Sequence, residues 1–298
     1  MAASSSIPAS SLDRRRHPVR ADLAAASYAG SVSARQFVEG RAMRISADFA
    51  DIRPVADQAR PIDTQALFGE TFTVYEIRDD GWAWGQLETD GYVGYLPAEA
   101  VSEAGAPATH RVAVPRSYRY PGAELKLPPV GLLSLGARVR VTGNATTRGL
   151  DYAVLEDGSA MVARHLERLD HIAGDWVAVA ESLLGTPYLW GGRTSLGLDC
   201  SALVQLAAQQ AGIALPRDSD MLEVEAGVAL EPGDGVPSDL RRGDLLFWKG
   251  HVGIICDPAT LLHANGFTMT VAREPVETAL ARIARSEWGR LTGWRRFA

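Results

Sequence analysis

The sequence predicts a multidomain chain: two small all-β barrels followed by an α+β domain. Two observations predict it. A strand-rich pattern occurs twice, with its leading glycines, Gly69 and Gly136, 67 residues apart. After residue 170 the pattern changes to amphipathic helix and then to antiparallel strands. Helices first and a sheet afterwards is the order of an α+β unit. A length of 298 residues, 46% apolar and 22% charged, suits several folded units.

In chain order, residues 1–45 read as a Ser-rich tail with a possible short helix. "DLAAAS" and "ARQFVEG" contain good helix formers. Arg14 to Arg16 read as a solvated, partly disordered stretch. The first barrel is expected over residues 46–105 and the second over 106–169. Each copy has an alternating strand, a polar turn, a second strand, an Asp-Gly turn and a third strand. Asp90-Gly91 and Asp157-Gly158 are again 67 apart, and Asp-Gly is a hairpin signal because both residues tolerate positive φ. The domain of residues 170–298 opens on a helix with Asp175 as its N-cap, a stripe of Trp176, Val179, Ala180, Leu183 and Leu184, and a stop at Gly185 and Pro187. A second helix starts at Cys200 and stops at Gly212. The strands "DLLFW", "HVGIIC" and "LLHANG" follow.

Cys200 is the informative residue. Asp199 is a preferred N-cap type, which makes Cys200 the first helical residue, with Leu203, Val204, Ala207 and Ala211 on the buried face. The unpaired N–H groups of a helix start favour a thiolate, while the Asp199 carboxylate opposes it. His251 opens a strand and His263 lies on the next one, so the two imidazoles can meet. Nucleophile, base and orienting group is the arrangement that activates a thiol. Cys256 faces opposite to His251 and reads as an inert buried thiol. Two histidines with no carboxylate nearby make a poor metal site, so no metal is expected.

The net charge of −6 argues against a nucleic-acid partner or an anionic membrane surface. No run of about 18 apolar residues exists to span a membrane. The N-terminus has no apolar core of a signal peptide after its arginines. The expectation is a cytoplasmic protein, with an export signal behind a different start codon as the alternative.

The two β repeats resemble bacterial SH3-type domains, chiefly through "GYVGYLP". "YLWGG", "LDCSALV", "RRGDLLFW", "HVGIIC" and "LLHANG" occur in the order found in NlpC/P60 cysteine peptidases, which the chain resembles from about residue 172 onward. That resemblance implies a papain-like α+β core and cleavage of peptidoglycan stem peptides without a metal or organic cofactor. It implies Cys200 as nucleophile, His251 as general base, His263 as the group orienting that base, and Tyr188 as a help to the oxyanion. Ala202 stands where a common family form has glycine; alanine is the better helix former. Two SH3-like domains ahead of the catalytic one resemble the γ-D-glutamyl-L-diamino acid endopeptidases within the family. The implied partner is a murein stem peptide with a free N-terminal L-Ala, from which L-Ala-γ-D-Glu is released. By the same resemblance Asp199 pairs with the substrate ammonium, Tyr92 and Glu70 close the end of the cleft, Ser219 lies on the opposite wall and Trp190 packs nearby. Two other functions stay open: a non-catalytic binder of wall peptides, and an amidase or acyltransferase using the same Cys-His chemistry.

Overall fold

The computed structural model describes residue 8, residues 11–230 and residues 239–297. The first ten residues of the expected tail, apart from residue 8, lie outside them. Among the described residues no helix is long and apolar enough to cross a membrane.

The first repeat is a five-stranded antiparallel sheet. Its order is Val93–Pro97, Trp82–Leu87, Thr71–Ile77, Arg41–Ile45, Val101–Glu103, and the hairpin Phe49–Ile52 with Thr64–Leu67 lies beside it. Ile45, Ile52, Phe72, Leu87 and Leu96 have no exposed surface and form its core. The strands of the second repeat fall into three small sheets. Among the described residues neither repeat closes into one hydrogen-bonded ring, so the barrels expected from the sequence appear as open β units.

The repeat itself is visible at the Asp-Gly turns. The N–H of Tyr92 donates to Asp90 Oδ1 at 3.1 Å, and the N–H of Ser159 to Asp157 Oδ1 at 3.0 Å. Gly91 has φ +75° and Gly158 φ +82°, a region glycine enters without Cβ strain. The aspartates do not share the positive φ. They cap a longer turn through their side chains, so the tight two-residue hairpin expected there does not form.

Residues 21–45 hold no α-helix. Leu23–Ala25 is a strand paired in parallel with Gln36–Val38, and Ala26–Tyr28 is one 3-10 turn. Arg41–Ile45 belongs to the first sheet. Burial of Leu23, Ala24 and Ala25 overrides their helix propensity.

The C-terminal unit packs helices on a six-stranded antiparallel sheet. Its order is Val228–Ala229, Gly293–Arg296, Leu245–Trp248, His251–Asp257, Thr260–Asn265, Thr270–Pro275. Helix α1 is Trp176–Glu181, and Asp175 caps it by accepting from the N–H groups of Val177 and Ala178. Val177 and Ala180 are its buried residues, Leu183 just beyond its end is buried too, and Leu184 is exposed. Helix α2 is Cys200–Gln210. It is buried nearly all round, as expected of a helix enclosed on several sides. One side meets Phe247, Val252, Ile254 and Leu262 of the sheet, and the same core runs on into Val112, Leu133, Leu135 and Ala137 of the second repeat.

Candidate active site

Asp199 caps α2 by accepting from the Ala202 N–H at 2.8 Å, and Cys200 follows as the first helical residue. The approach to this helix is fixed by Gly191. Its φ is +72°, and a Cβ there would lie 2.4 Å from the Ile62 carbonyl oxygen. Only glycine allows that approach. The Gly191 N–H then reaches Asp199 Oδ2 at 3.1 Å.

Cys200 shares a buried cluster with Val252, and the backbone N–H groups of Val252 and Ser201 favour its ionised form. It therefore lies against the start of the strand that carries His251. Burial, with the Asp199 charge beside it, opposes the thiolate and outweighs those N–H groups. The thiol is pushed up to about 12. The lowered thiol pKa expected from the helix start is thus not found, because desolvation exceeds the helix-start contribution.

His251 and His263 meet as expected: Nε2 of His251 lies 2.9 Å from Nδ1 of His263. Both imidazoles are buried. Burial, then His263 and Arg282, push His251 down to about 3. The contact uses Nε2 of His251 and leaves Nδ1 as the nitrogen that can take a proton from sulfur.

The sequence reading missed the next member. Nε2 of His263 lies 3.0 Å from Glu274 Oε1, and Arg282 donates to the same oxygen at 2.7 Å. The bond to His263 and the Arg282 cation hold the Glu274 carboxyl below its usual range. Glu274 is on Thr270–Pro275, where His263 pairs with Ala272. It therefore sits on the His263 face, one step along the diagonal. Period-two reading of "TVAREP" beside "LLHANG" is the signal that finds it.

A pocket of about 310 Å³ borders Cys200. It is lined by Cys200, Tyr188, Trp190, Tyr92, Asp199 and Ser219, all expected at the site, and by Arg14, Arg15, Asp63, Asp218 and Asp220, which were not. Burial and the neighbouring charges of Cys200 and Asp199 push the Tyr188 phenol up, so it remains a donor. The Tyr92 hydroxyl donates to Asp218 Oδ2 at 3.1 Å.

Two expected residues are otherwise engaged. Glu70 does not line this pocket. It is buried against the equally buried Arg193, at 2.8 and 3.0 Å. Burial opposes its charge, but Arg193 outweighs that and keeps the carboxyl below its usual range. Asp199 borders the pocket, yet its carboxylate is filled. Arg217 donates to its two oxygens at 2.9 and 2.6 Å, in addition to the Gly191, Ala202 and Ser201 donors. Arg217 also reaches Thr64 of the first repeat at 2.7 Å. Two buried arginines therefore fasten the first repeat to α2, Arg217 at its start and Arg193 through Gln205 and Gln209.

Residues 185–283 match the NlpC/P60 family, and residues 52–101 match the bacterial dipeptidyl-peptidase SH3 domain. A γ-D-glutamyl-L-lysine dipeptidyl-peptidase of Bacillus cereus is 25% identical over 252 residues, covering 74% of this chain and 72% of that protein. A probable endopeptidase of Mycobacterium tuberculosis is 38% identical over 118 residues, which are 37% of this chain and 29% of that protein. The chain thus spans less than a third of the mycobacterial relative. The crystal structure of an NlpC/P60 family protein from Bacillus cereus has the same fold, with a TM-score of 0.69 at 20% identity, covering 86% of this chain and 99% of that one. The C-terminal unit of this chain is an NlpC/P60 domain, carried behind a bacterial SH3 domain.

Proposed function

We propose that the chain is a cysteine peptidase that hydrolyses the γ-D-Glu–diamino acid bond of murein stem peptides with a free N-terminal L-Ala. The observation that carries this reading is the line of side chains from the Cys200 helix start through His251 and His263 to Glu274, opening on an acid-lined pocket. The names of the relatives support the substrate class. In this reading residues 46–105 and 106–169 are two SH3-like domains and residues 170–298 the catalytic domain.

The resting thiol and imidazole are both neutral. As Sγ attacks the γ-carbonyl carbon, its proton passes to Nδ1 of His251. His251 then donates from Nε2 to Nδ1 of His263, and His263 donates from Nε2 to Glu274. The carboxylate at the end sets both tautomers and stabilises the imidazolium. The tetrahedral oxyanion is held by the Cys200 N–H, which has no acceptor within its helix, and by the Tyr188 hydroxyl. His251 returns its proton to the departing amine and the thioester forms. The same imidazole then takes a proton from water, which attacks the thioester and restores the thiol. Asp63 and Asp218 give the pocket the anionic end that a substrate ammonium needs, since a desolvated ammonium requires a partner. Asp199 serves as the cap and as the partner of Arg217.

The test is incubation with L-Ala-γ-D-Glu-diaminopimelate and mass analysis of the products. Release of L-Ala-γ-D-Glu and free diaminopimelate is expected. Peptide affinity that survives alkylation of Cys200, with no turnover, is the result of a binding protein. Products from another amide or ester bond point to an amidase or acyltransferase.

A further inference from the structure

Arg14, Arg15 and Arg16 do not form the solvated tail that their sequence predicts. The segment lies outside both family matches. The Val93 N–H donates to the Arg15 carbonyl at 2.8 Å, and Gln86 Nε2 to the Arg16 carbonyl at 3.1 Å, which fixes the backbone on the first repeat. The side chains reach the other way. Arg15 donates to Asp218 and to Asp220, each at 2.8 Å, at the start of helix α3, Ser219–Glu225. Arg16 pairs with Glu225 at its end. Arg14 pairs with Asp63 at 2.8 Å. Residues 13–16 therefore form a strap across the gap between the first repeat and the C-terminal unit. Arg14 and Arg15 line the same pocket as Cys200.

We propose that this strap is the end wall of the substrate pocket and sets its demand for a free, cationic N-terminus, with Arg15 as the positioning residue that fastens it. The proposal rests on the peptidase reading above. Arg15 and Tyr92 hold the same oxygen of Asp218, so the strap fixes where that carboxylate stands. A terminal ammonium can share Asp63 and Asp218 with the guanidinium groups already there. An acylated terminus has lost its charge, an extended one carries it elsewhere, and both bring atoms into space the strap fills. One penalty, steric conflict with the strap, then falls on the blocked peptide alone, since Asp63 and Asp218 keep their arginine partners with either peptide. A strap that merely ties two units together makes no such distinction between peptides.

The test is calorimetric binding of L-Ala-γ-D-Glu-diaminopimelate and its N-acetylated form to the full chain carrying Cys200→Ala, with and without Arg14→Ala and Arg15→Ala. With the strap intact the free peptide is expected to bind at least about 30-fold more tightly, and the double substitution to cut that ratio about tenfold. Arg15→Lys keeps the charge but not the fork and is expected to fall between. Should the double variant not fold, Arg14→Ala alone, at a half-exposed side chain, is expected to lower the ratio about threefold. An unchanged ratio in folded strap variants overturns the proposal, and so does failure of the Cys200→Ala protein to bind either peptide. Turnover by the Cys200 protein is scored separately: a ratio that responds to the strap without turnover leaves the wall in place and removes the peptidase reading.

Discussion

Oε1 of Glu274 lies 3.0 Å from Nε2 of His263, and the same oxygen receives Arg282 at 2.7 Å. His263 has no exposed surface, so water cannot replace the carboxylate. Glu274→Gln is expected to lower kcat about tenfold with little change in KM, because the amide can present its N–H to Nε2 and invert the tautomers along the line. Steady-state kinetics with the defined tripeptide reads this. Equal kcat in the two proteins removes Glu274 from the mechanism.

Burial and His263 lower His251 from its ordinary 6.5 to about 3. Between those values the unfolded chain binds a proton that the folded chain does not. Stability therefore rises with pH across this window and is lost as pH falls through it. The slope from this one residue is at most about 1.4 kcal/mol per pH unit. Urea unfolding of wild type and His251→Gln between pH 7 and 4.5 is expected to show a flatter dependence in the variant. Parallel curves contradict the buried neutral imidazole.

A thiol pushed up to about 12 is not an ion pair with its base at rest. Alkylation of Cys200 by iodoacetamide is expected to rise with pH beyond 9 without a plateau in the acid range. A plateau from about pH 5 upward is the signature of a resting thiolate–imidazolium pair and contradicts it.

Glu70 and Arg193 are both buried and paired. Glu70→Ala leaves an arginine charge without its partner inside the protein and is expected to cost about 3–5 kcal/mol of stability. Denaturant midpoints measure it. A raised KM at full stability instead places Glu70 in the substrate pocket.

Gly191→Ala puts a methyl group on the Ile62 carbonyl at positive φ. The loop that donates to Asp199 must move, and a loss of about 2 kcal/mol or more in stability is expected together with reduced turnover. Wild-type stability and rate in this variant contradict the close approach.

Cys200, His251 and His263 were legible in the sequence because each stands at a junction: a helix start after glycines, a strand start after a Lys-Gly turn, and the adjacent strand. Glu274 was not, since a glutamate between Arg273 and Pro275 reads as solvent-facing until strand register places it diagonally from His263. The strap was hidden for a related reason. Three successive arginines look solvated when their partners, Asp63, Asp218 and Glu225, are dozens to hundreds of residues away. The Asp-Gly turns revealed the duplication, but not that the strands would divide into open sheets. The short helix expected within residues 21–45 failed because Leu23, Ala24 and Ala25 found burial in a strand pair.

The most direct measurement is turnover of L-Ala-γ-D-Glu-diaminopimelate by wild type and by Cys200→Ala at equal concentration. A fall of about 10⁴-fold or more, with L-Ala-γ-D-Glu as the wild-type product, is predicted. Cleavage by the alanine variant at a rate near wild type contradicts the account.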